Sequence, residues 1–415
     1  MFRRVLKSKV LTTEGYWSMN TSRRLSINRG LLVGARCCGA GFAAGTPGIT
    51  ALWHDRGLSK GDFYLLEILF AIALLVLEVA TGRFADRFGK VRTMKLGFIA
   101  LAVGALVYAE ASSFGGFLVG EVVAALGIAL ISGTDEALMF QSGVALGQDK
   151  AHQRWWTLSV GASFVAAALF ALVGAQLSES NLSAPFLFCA GFQVVGLVLC
   201  FGLVEAPKDV AAQAEQCGGT LREAVSAIVL SSSHIRWMAI APGFVAGLNQ
   251  TFLWMYPEYL AECGIQRGDS GYVFALFNLV AGASAIGLRG ITDTRRSVLI
   301  FFTLIGVLAS STLGLVYVVG GLAWLIILPQ QVVRSVTGAL FSDTLNKAIP
   351  EAVRVTALSV RNALRVLLYV TVMVPWWLGV DELGRTALFC VNLAVLLMGA
   401  SFLWVTAPRS LRAKG

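Results

Sequence analysis

The feature that most constrains this chain is a recurring apolar stretch of about 20 residues, the length an α-helix needs to cross a hydrocarbon core about 30 Å thick. Twelve such stretches run along the sequence, at residues 29–51, 62–83, 93–111, 114–137, 154–176, 183–204, 235–257, 269–289, 296–317, 320–343, 356–379 and 384–406. With 56% hydrophobic and only 14% charged residues, the 415-residue chain lacks the polar surface of a soluble globular protein. No run alternates apolar and polar residues as an outer-membrane barrel requires, so the expected fold is an all-α membrane protein.

Lys and Arg fall almost entirely in every second loop. One set holds Arg3, Arg4, Lys7, Lys9, Arg23 and Arg24, then Arg83, Arg87, Lys90, Arg92 and Lys95, then Lys150, Arg154, Lys208, Arg222, Arg295, Arg296, Lys347, Arg354, Arg409, Arg412 and Lys414. The opposite loops hold only Arg56, Lys60, Arg267 and Arg385. The positive-inside rule then puts both termini in the cytoplasm of a multi-pass inner-membrane protein. The net charge of +9 belongs to this bias and to anionic headgroups, and a nucleic-acid partner is not expected. Residues 1–28 read as a cytoplasmic segment without the apolar core of a cleavable signal, and Met19 is a second candidate start. The seven cysteines lie mostly inside spans and suit packing rather than disulfides. The three histidines are scattered, so neither a metal nor a cofactor is expected.

The longest interior loop, residues 205–234, contains "APKDVAAQAEQCGG" and an amphipathic "TLREAVSAIVL". It separates one six-helix bundle (29–204) from another (235–407), which a short tail (408–415) follows. The halves echo each other. "RWWTLSV" at 154–160 matches "RVTALSV" at 354–360, and "GRFADRFGKVR" at 82–92 has a worn partner in "RGITDTRR", with Asp86 and Asp293 both after the second span of a half.

The pattern Gly82-x-x-x-Asp86-Arg87-x-Gly89-Lys90-x-Arg92, set between spans 2 and 3 of twelve, resembles the loop motif of the major facilitator superfamily. "SGTDEALMFQS" at 132–142 and "RVTALSV" resemble segments of its bacterial members. The resemblance implies two pseudo-symmetric six-helix bundles that rock about a midplane site, the alternating-access scheme. It also places Asp86 against the N-terminus of helix 11, where a carboxylate meets the positive end of a helix dipole. Gly82 permits close helix crossing and Gly89 a turn most residues resist. Arg87 then needs an acid, and Asp135 or Glu136 is the nearest by depth. Gly82, Asp86, Arg87, Gly89, Lys90, Asp135 and Glu136 form the expected gating cluster; the alternative is that these charges only fix topology.

Ionisable groups inside spans are costly and face partners or wet cavities. Arg36 matches the depth of Glu78, and an Arg36–Glu78 or Arg36–Glu136 pair is expected, as a structural bridge or as part of a substrate site. Glu67 and Glu121 have no obvious cation at their level. A carboxyl removed from water there can exchange a proton with either face, so Glu121, Glu67 and Glu78 are proton-coupling candidates. Glu121 stands where proton-driven antiporters of the superfamily commonly carry Arg, and their helix-5 signature is degraded here, with Gly161, Ala166 and Gly174 but no proline.

In the second half, Asn249, Gln250 and Thr251 occur consecutively in span 7, with Trp254 and Tyr256 beyond them. Span 10 reads "PQQVVRS": Pro329 removes a backbone donor, Gln330 and Gln331 add amides, and Arg334 a deep charge. Span 11 adds Arg361, Asn362 and Arg365. If the superfamily's path-lining helices apply, Arg36, Asn249, Gln250, Trp254, Asn278, Gln331 and Arg334 are the substrate-binding candidates, each with interhelical bonding as its alternative role.

No Walker-type Gly-x-x-x-x-Gly-Lys occurs, and no His, Asp, Ser and Cys cluster at one depth, so a non-enzymatic secondary transporter is expected. Monomeric, proton-coupled efflux of a drug-like or metabolite molecule is the leading reading. Proton-symport uptake of a nutrient or organic acid is the alternative, and a non-transporting membrane receptor is the reading from a different class.

Overall fold

The computed structural model describes residues 19–148, 152–205, 233–287, 294–337, 340 and 354–407. Among these residues the backbone is helical, without strands. Each of the twelve expected spans coincides, over its described part, with helical structure. Among the described residues, seven helices are long and apolar enough to cross a membrane by length and composition, and the last of them takes in parts of two expected spans.

Helix α1 (Met19–Gly39) tightens into a 3-10 turn (Ala40–Ala44) and resumes as α2 (Ile49–Asp55). The break is local: Pro47 has no N–H and cannot continue a helix through Gly45–Gly48. Helix α3 (Lys60–Phe88) starts on a capping box in which Ser59 Oγ accepts the Asp62 N–H and Asp62 Oδ2 accepts the Ser59 N–H, both at 3.0 Å. It stops at Gly89, whose φ of 94° side-chain-bearing residues rarely adopt, and α4 (Lys90–Glu110) leaves from the same residue. The sequence-based expectation of a glycine turn at this position is met.

Span 4 is two helices, α5 (Phe114–Ile131) and α6 (Thr134–Ala145), broken at Ser132–Gly133 with Gly133 at φ 74°. Helices α7 (His152–Ser180) and α8 (Ala184–Phe201) complete the first bundle. The second bundle runs α9 (Ser233–Leu253), α10 (Tyr256–Glu262), α11 (Arg267–Gly287) and α12 (Thr294–Tyr317), then a 3-10 turn (Ala323–Ile327), α13 (Leu328–Val336) and α14 (Arg354–Thr406). Spans 11 and 12 both lie in α14, which folds back at Gly384 (φ 71°, ψ 168°). Trp376 Nε1–H reaches Asn392 Oδ1 at 3.2 Å, although sixteen residues of straight helix would separate them by roughly 24 Å.

Lipid offers no hydrophobic drive between helices, so close packing must come from small residues. A Cβ added at Gly104 would lie 3.0 Å from Ala124 N, and one at Gly120 would lie 2.9 Å from the Tyr108 ring, so α4 and α5 approach almost backbone to backbone. Gly174 of α7 lies against the Ala44 carbonyl of the span 1 break. The two bundles meet along two seams, α7 against α11 and α3 against α14. In the first seam a Cβ at Gly271 would lie 2.6 Å from Ala175 Cβ and 2.9 Å from Ala171 O.

At the rim poor in basic residues the bundles are tied together. Lys60 pairs with Glu258, Asp381 Oδ2 accepts the Gly61 N–H at 3.0 Å, and Glu179 Oε1 accepts the Gly268 N–H at 2.9 Å. Arg267 Nη1 donates to Ser178 O at 3.0 Å. Two of these ties are related by the internal repeat. Asp381 and Glu179 each end the fifth span of a half and each cap the N-terminus of the second span of the other half. The remaining basic residues of this rim are also engaged, Arg56 with Ala111 O and Ser183 Oγ, and Arg385 with Glu262.

Candidate functional site

Between the bundles lies a cavity of about 440 Å³, within the size range of small-molecule sites. Its walls are mainly aromatic and small apolar residues, with Glu67, Glu121 and Arg334 as the charged residues and Thr46, Ser163 and Asn278 among the neutral polar ones.

Glu121 reaches the cavity from α5, 8% exposed. Tyr108 of α4 donates its hydroxyl to Glu121 Oε1 at 2.8 Å, a contact that the tight Gly104–Ala124 and Gly120–Tyr108 packing makes possible. The Tyr108 ring is held by Phe117 at 5.0 Å and Phe186 at 4.9 Å. Glu67, from α3, is 3% exposed. Its Oε2 accepts the hydroxyl of Tyr369 at 3.5 Å, and Tyr369 Oη in turn accepts the Trp254 Nε1–H at 3.0 Å. This chain crosses the bundle seam, joining α3 to α14 and to the turn between α9 and α10. The two carboxyl groups interact electrostatically with each other.

Arg334 comes from α13. Pro329, which removes a backbone donor, sits in the first turn of α13, where a missing N–H costs nothing. Gln330 fixes the helix by accepting the Tyr256 hydroxyl at 2.7 Å and donating to Ser311 Oγ at 2.8 Å. The Arg334 guanidinium donates to Gln331 Oε1 at 3.3 Å and lies 6.0 Å from the Phe164 ring centroid, on the other bundle. Arg334 lines the same cavity as Glu67 and Glu121, without an ion pair to either among the described residues.

Three substrate candidates, Trp254, Asn278 and Arg334, line this cavity. Four do not. Asn249 and Gln331 are buried inside the second bundle, Asn249 Nδ2 donating to Gln330 O at 3.4 Å and Gln331 Nε2 to Tyr256 Oη at 3.4 Å, so both serve packing within that bundle. Gln250 is half-buried and lines neither this cavity nor its neighbour.

Arg36, the fourth, lines an adjoining cavity of about 420 Å³ with Asp135, Glu136 and Trp156. The two cavities share Gly39, Ala40, Ile128 and Ser163, so the second continues the first toward the rim rich in basic residues. Arg36 pairs with Asp135 Oδ2 at 2.8 Å and lies over the Trp156 ring at 4.1 Å. The expected Arg36–Glu78 and Arg36–Glu136 pairs are corrected, as is the assignment of Asp135 to Arg87. The helix break at Ser132–Gly133 starts α6 at Thr134 and places Asp135 beside α1. Glu78 is instead within electrostatic reach of Arg365 of α14.

Replacing either Arg36 or Asp135 by Ala should cost about 1–3 kcal/mol, the cost of leaving a part-buried polar partner unmatched. The double variant should cost less than the sum, measured as non-additive shifts in apparent melting temperature.

In the loop motif, Gly82 and Asp86 belong to α3, and their side-chain surroundings lie outside the described residues, so the Asp86 latch does too. Arg87 is exposed over the Phe88 ring at 5.4 Å, and Lys90 is buried. Sequence reasoning missed Glu205. Glu205 Oε1 accepts the Val91 N–H at 2.7 Å and caps α4. The available signal was that "FGKVR" offers no Ser, Thr, Asp or Asn to cap the helix itself. Tyr108 and Tyr369 were missed as well, although a tyrosine hydroxyl inside an apolar span needs a partner.

Two helical bundles around a shared charged cavity, tied at one rim and continued by a second cavity toward the other, define a multi-pass membrane protein of the two-bundle transporter class. Residues 31–373 match the sequence pattern described as Major Facilitator Superfamily. The chain belongs to the Major Facilitator Superfamily. A mutant of the nucleoside transporter NupG superposes with a TM-score of 0.73 at 11% identity, covering 92% of this chain and 100% of that one. A mutant of the peptide transporter POT gives 0.70 at 13% identity, covering 92% and 95%. A bacterial homolog of the human lysosomal transporter Spinster, in an inward-facing and unoccupied conformation, gives 0.68 at 15%, covering 93% and 96%. In sequence, the quinolone resistance protein NorA of Staphylococcus aureus is 20% identical over 167 residues, 39% of this chain and 41% of NorA. The chain thus matches about two-fifths of the length of the curated relatives it resembles.

Proposed function

We propose that this transporter exports a small organic molecule across the inner membrane by proton-coupled alternating access, with both termini in the cytoplasm. The observation that carries the reading is the buried carboxyl pair, Glu67 and Glu121, each hydrogen-bonded by a tyrosine on the wall of a cavity between the bundles. Such a pair can take up and release protons where the carried molecule sits, which couples the two fluxes. With the basic rim assigned to the cytoplasm by the charge bias, the closed rim is the outer one and the conformation is inward-open. The limited similarity to a quinolone resistance protein supports export over uptake.

Purified protein in proteoliposomes separates the readings. Labelled aromatic amines, acids, amino acids and nucleosides are screened under an imposed pH gradient. Antiport drives the transported probe to the acidic side, symport drives it to the alkaline side, and a receptor gives saturable binding without flux. Accumulation on the acidic side, abolished by a protonophore, is the expected result; accumulation on the alkaline side or binding alone contradicts it.

A further inference from the structure

The cavity divides its charges between the two bundles. Glu67 and Glu121 stand on the wall from the first bundle, and Arg334 on the wall from the second. They do not neutralise each other. Among the described residues no carboxylate lies within ion-pair distance of Arg334, whose guanidinium donates only to the neutral Gln331 amide and faces Phe164. A half-buried guanidinium with spare donors beside a cavity lacks the acceptor that would offset its partial desolvation. The acids have spare capacity too: each accepts one tyrosine hydroxyl, and an ionised carboxylate offers about four acceptor sites. Between the charged walls the cavity is aromatic, with Phe70, Phe164, Trp254 and Phe274 among its lining residues.

We infer that the molecule bound here is an aromatic amphoteric compound, with an ammonium group held by Glu121 and Glu67 and a carboxylate or comparable anion held by Arg334. This rests on the reading of the cavity as the site of the carried molecule. A purely cationic ligand would leave Arg334 unmatched, and a purely anionic one would stand against two carboxylates. An amphoteric ligand matches both walls, and its ring stacks on the aromatic surfaces between them. Because its two charges are held by different bundles, it also ties them together, so a molecule carrying both charges has the most to gain from bundle closure.

The test is equilibrium binding to the full chain in nanodiscs, with no gradient, using three matched probes: naphthylalanine, naphthylethylamine and naphthylpropanoate. Naphthylalanine should bind at least about tenfold more tightly than either singly charged analogue, as expected for two charge-assisted contacts. Glu121→Gln should remove its advantage over naphthylpropanoate, and Arg334→Gln its advantage over naphthylethylamine. Equal binding of the three probes, preference for a singly charged one, or no saturable binding of any probe overturns the assignment. Correct folding of the variants is checked by an unchanged elution profile and by Arg334→Lys restoring part of the preference. Binding is read without flux, so amphoteric selectivity with no gradient-driven transport would refute the coupling mechanism and leave this inference standing. Transport without the selectivity would do the reverse.

Discussion

Glu121→Gln is expected to reduce pH-gradient-driven accumulation sharply while leaving gradient-independent exchange measurable. The substitution preserves shape, and the amide oxygen can still accept the Tyr108 hydroxyl that holds Glu121 at 2.8 Å, so the packing of α4 on α5 should persist. What it removes is the ability to bind and release a proton. The loss should fall between about fivefold and 150-fold, the range of coupling free energies of about 1–3 kcal/mol. Tyr108→Phe should weaken coupling less, since it takes away one donor and keeps the acid. Glu67→Gln should act differently. Glu67 is bonded through Tyr369 and Trp254 to the second bundle, so its loss should alter the rate of conformational exchange as well as coupling. If flux through Glu121→Gln still follows the pH gradient at the unmodified rate, coupling belongs elsewhere, and the carboxyl of Glu67 is the next to test.

The second large effect is expected at the α7–α11 seam. Gly271→Leu places a side chain where a Cβ alone would lie 2.6 Å from Ala175 Cβ and 2.9 Å from Ala171 O. The bundles must separate at the tied rim to admit it. Overpacking of this kind costs about 1–3 kcal/mol, and it is charged only to the state closed at that rim, shifting the ratio of the two states by about fivefold to 150-fold. Removing the repeat-related caps with Asp381→Asn and Glu179→Gln should shift the ratio in the same direction but less. Each removes only one exposed carboxylate at a helix N-terminus, an interaction of about 0.3–1 kcal/mol. Distances between spin labels across that rim should lengthen in the order caps-removed, then Gly271→Leu. Unchanged distances in Gly271→Leu would show that the seam tolerates the side chain.

The fold was legible because its signals are long and redundant: span length, loop charge bias, the Arg154 and Arg354 repeats and the 82–92 motif all agree. The site was legible in depth but not in azimuth. A residue's position along a span follows from counting, whereas the face it turns to depends on packing that hydropathy does not encode. Glu67, Glu121, Trp254, Asn278 and Arg334 were recognised as buried or polar and do meet at one cavity. Asn249 and Gln331 had the same depth and polarity, yet they face the interior of their own bundle. Arg36 was assigned the wrong partner because a continuous span 4 was assumed. The positive φ of Gly133 restarts the helix and turns Asp135 toward α1.

Accessibility of Ser163 tests the central claim most directly, because this residue lines both cavities and its hydroxyl bonds only locally, to Val160 O at 2.8 Å. Ser163→Cys would be placed in an otherwise cysteine-free chain and exposed, in oriented proteoliposomes, to a membrane-impermeant maleimide from each side. Labelling should occur from the face bearing the termini in the parent chain and from the opposite face once Gly271→Leu is added. Protection from both sides in both chains, or labelling from the same side in both, would contradict a cavity that opens alternately to the two faces.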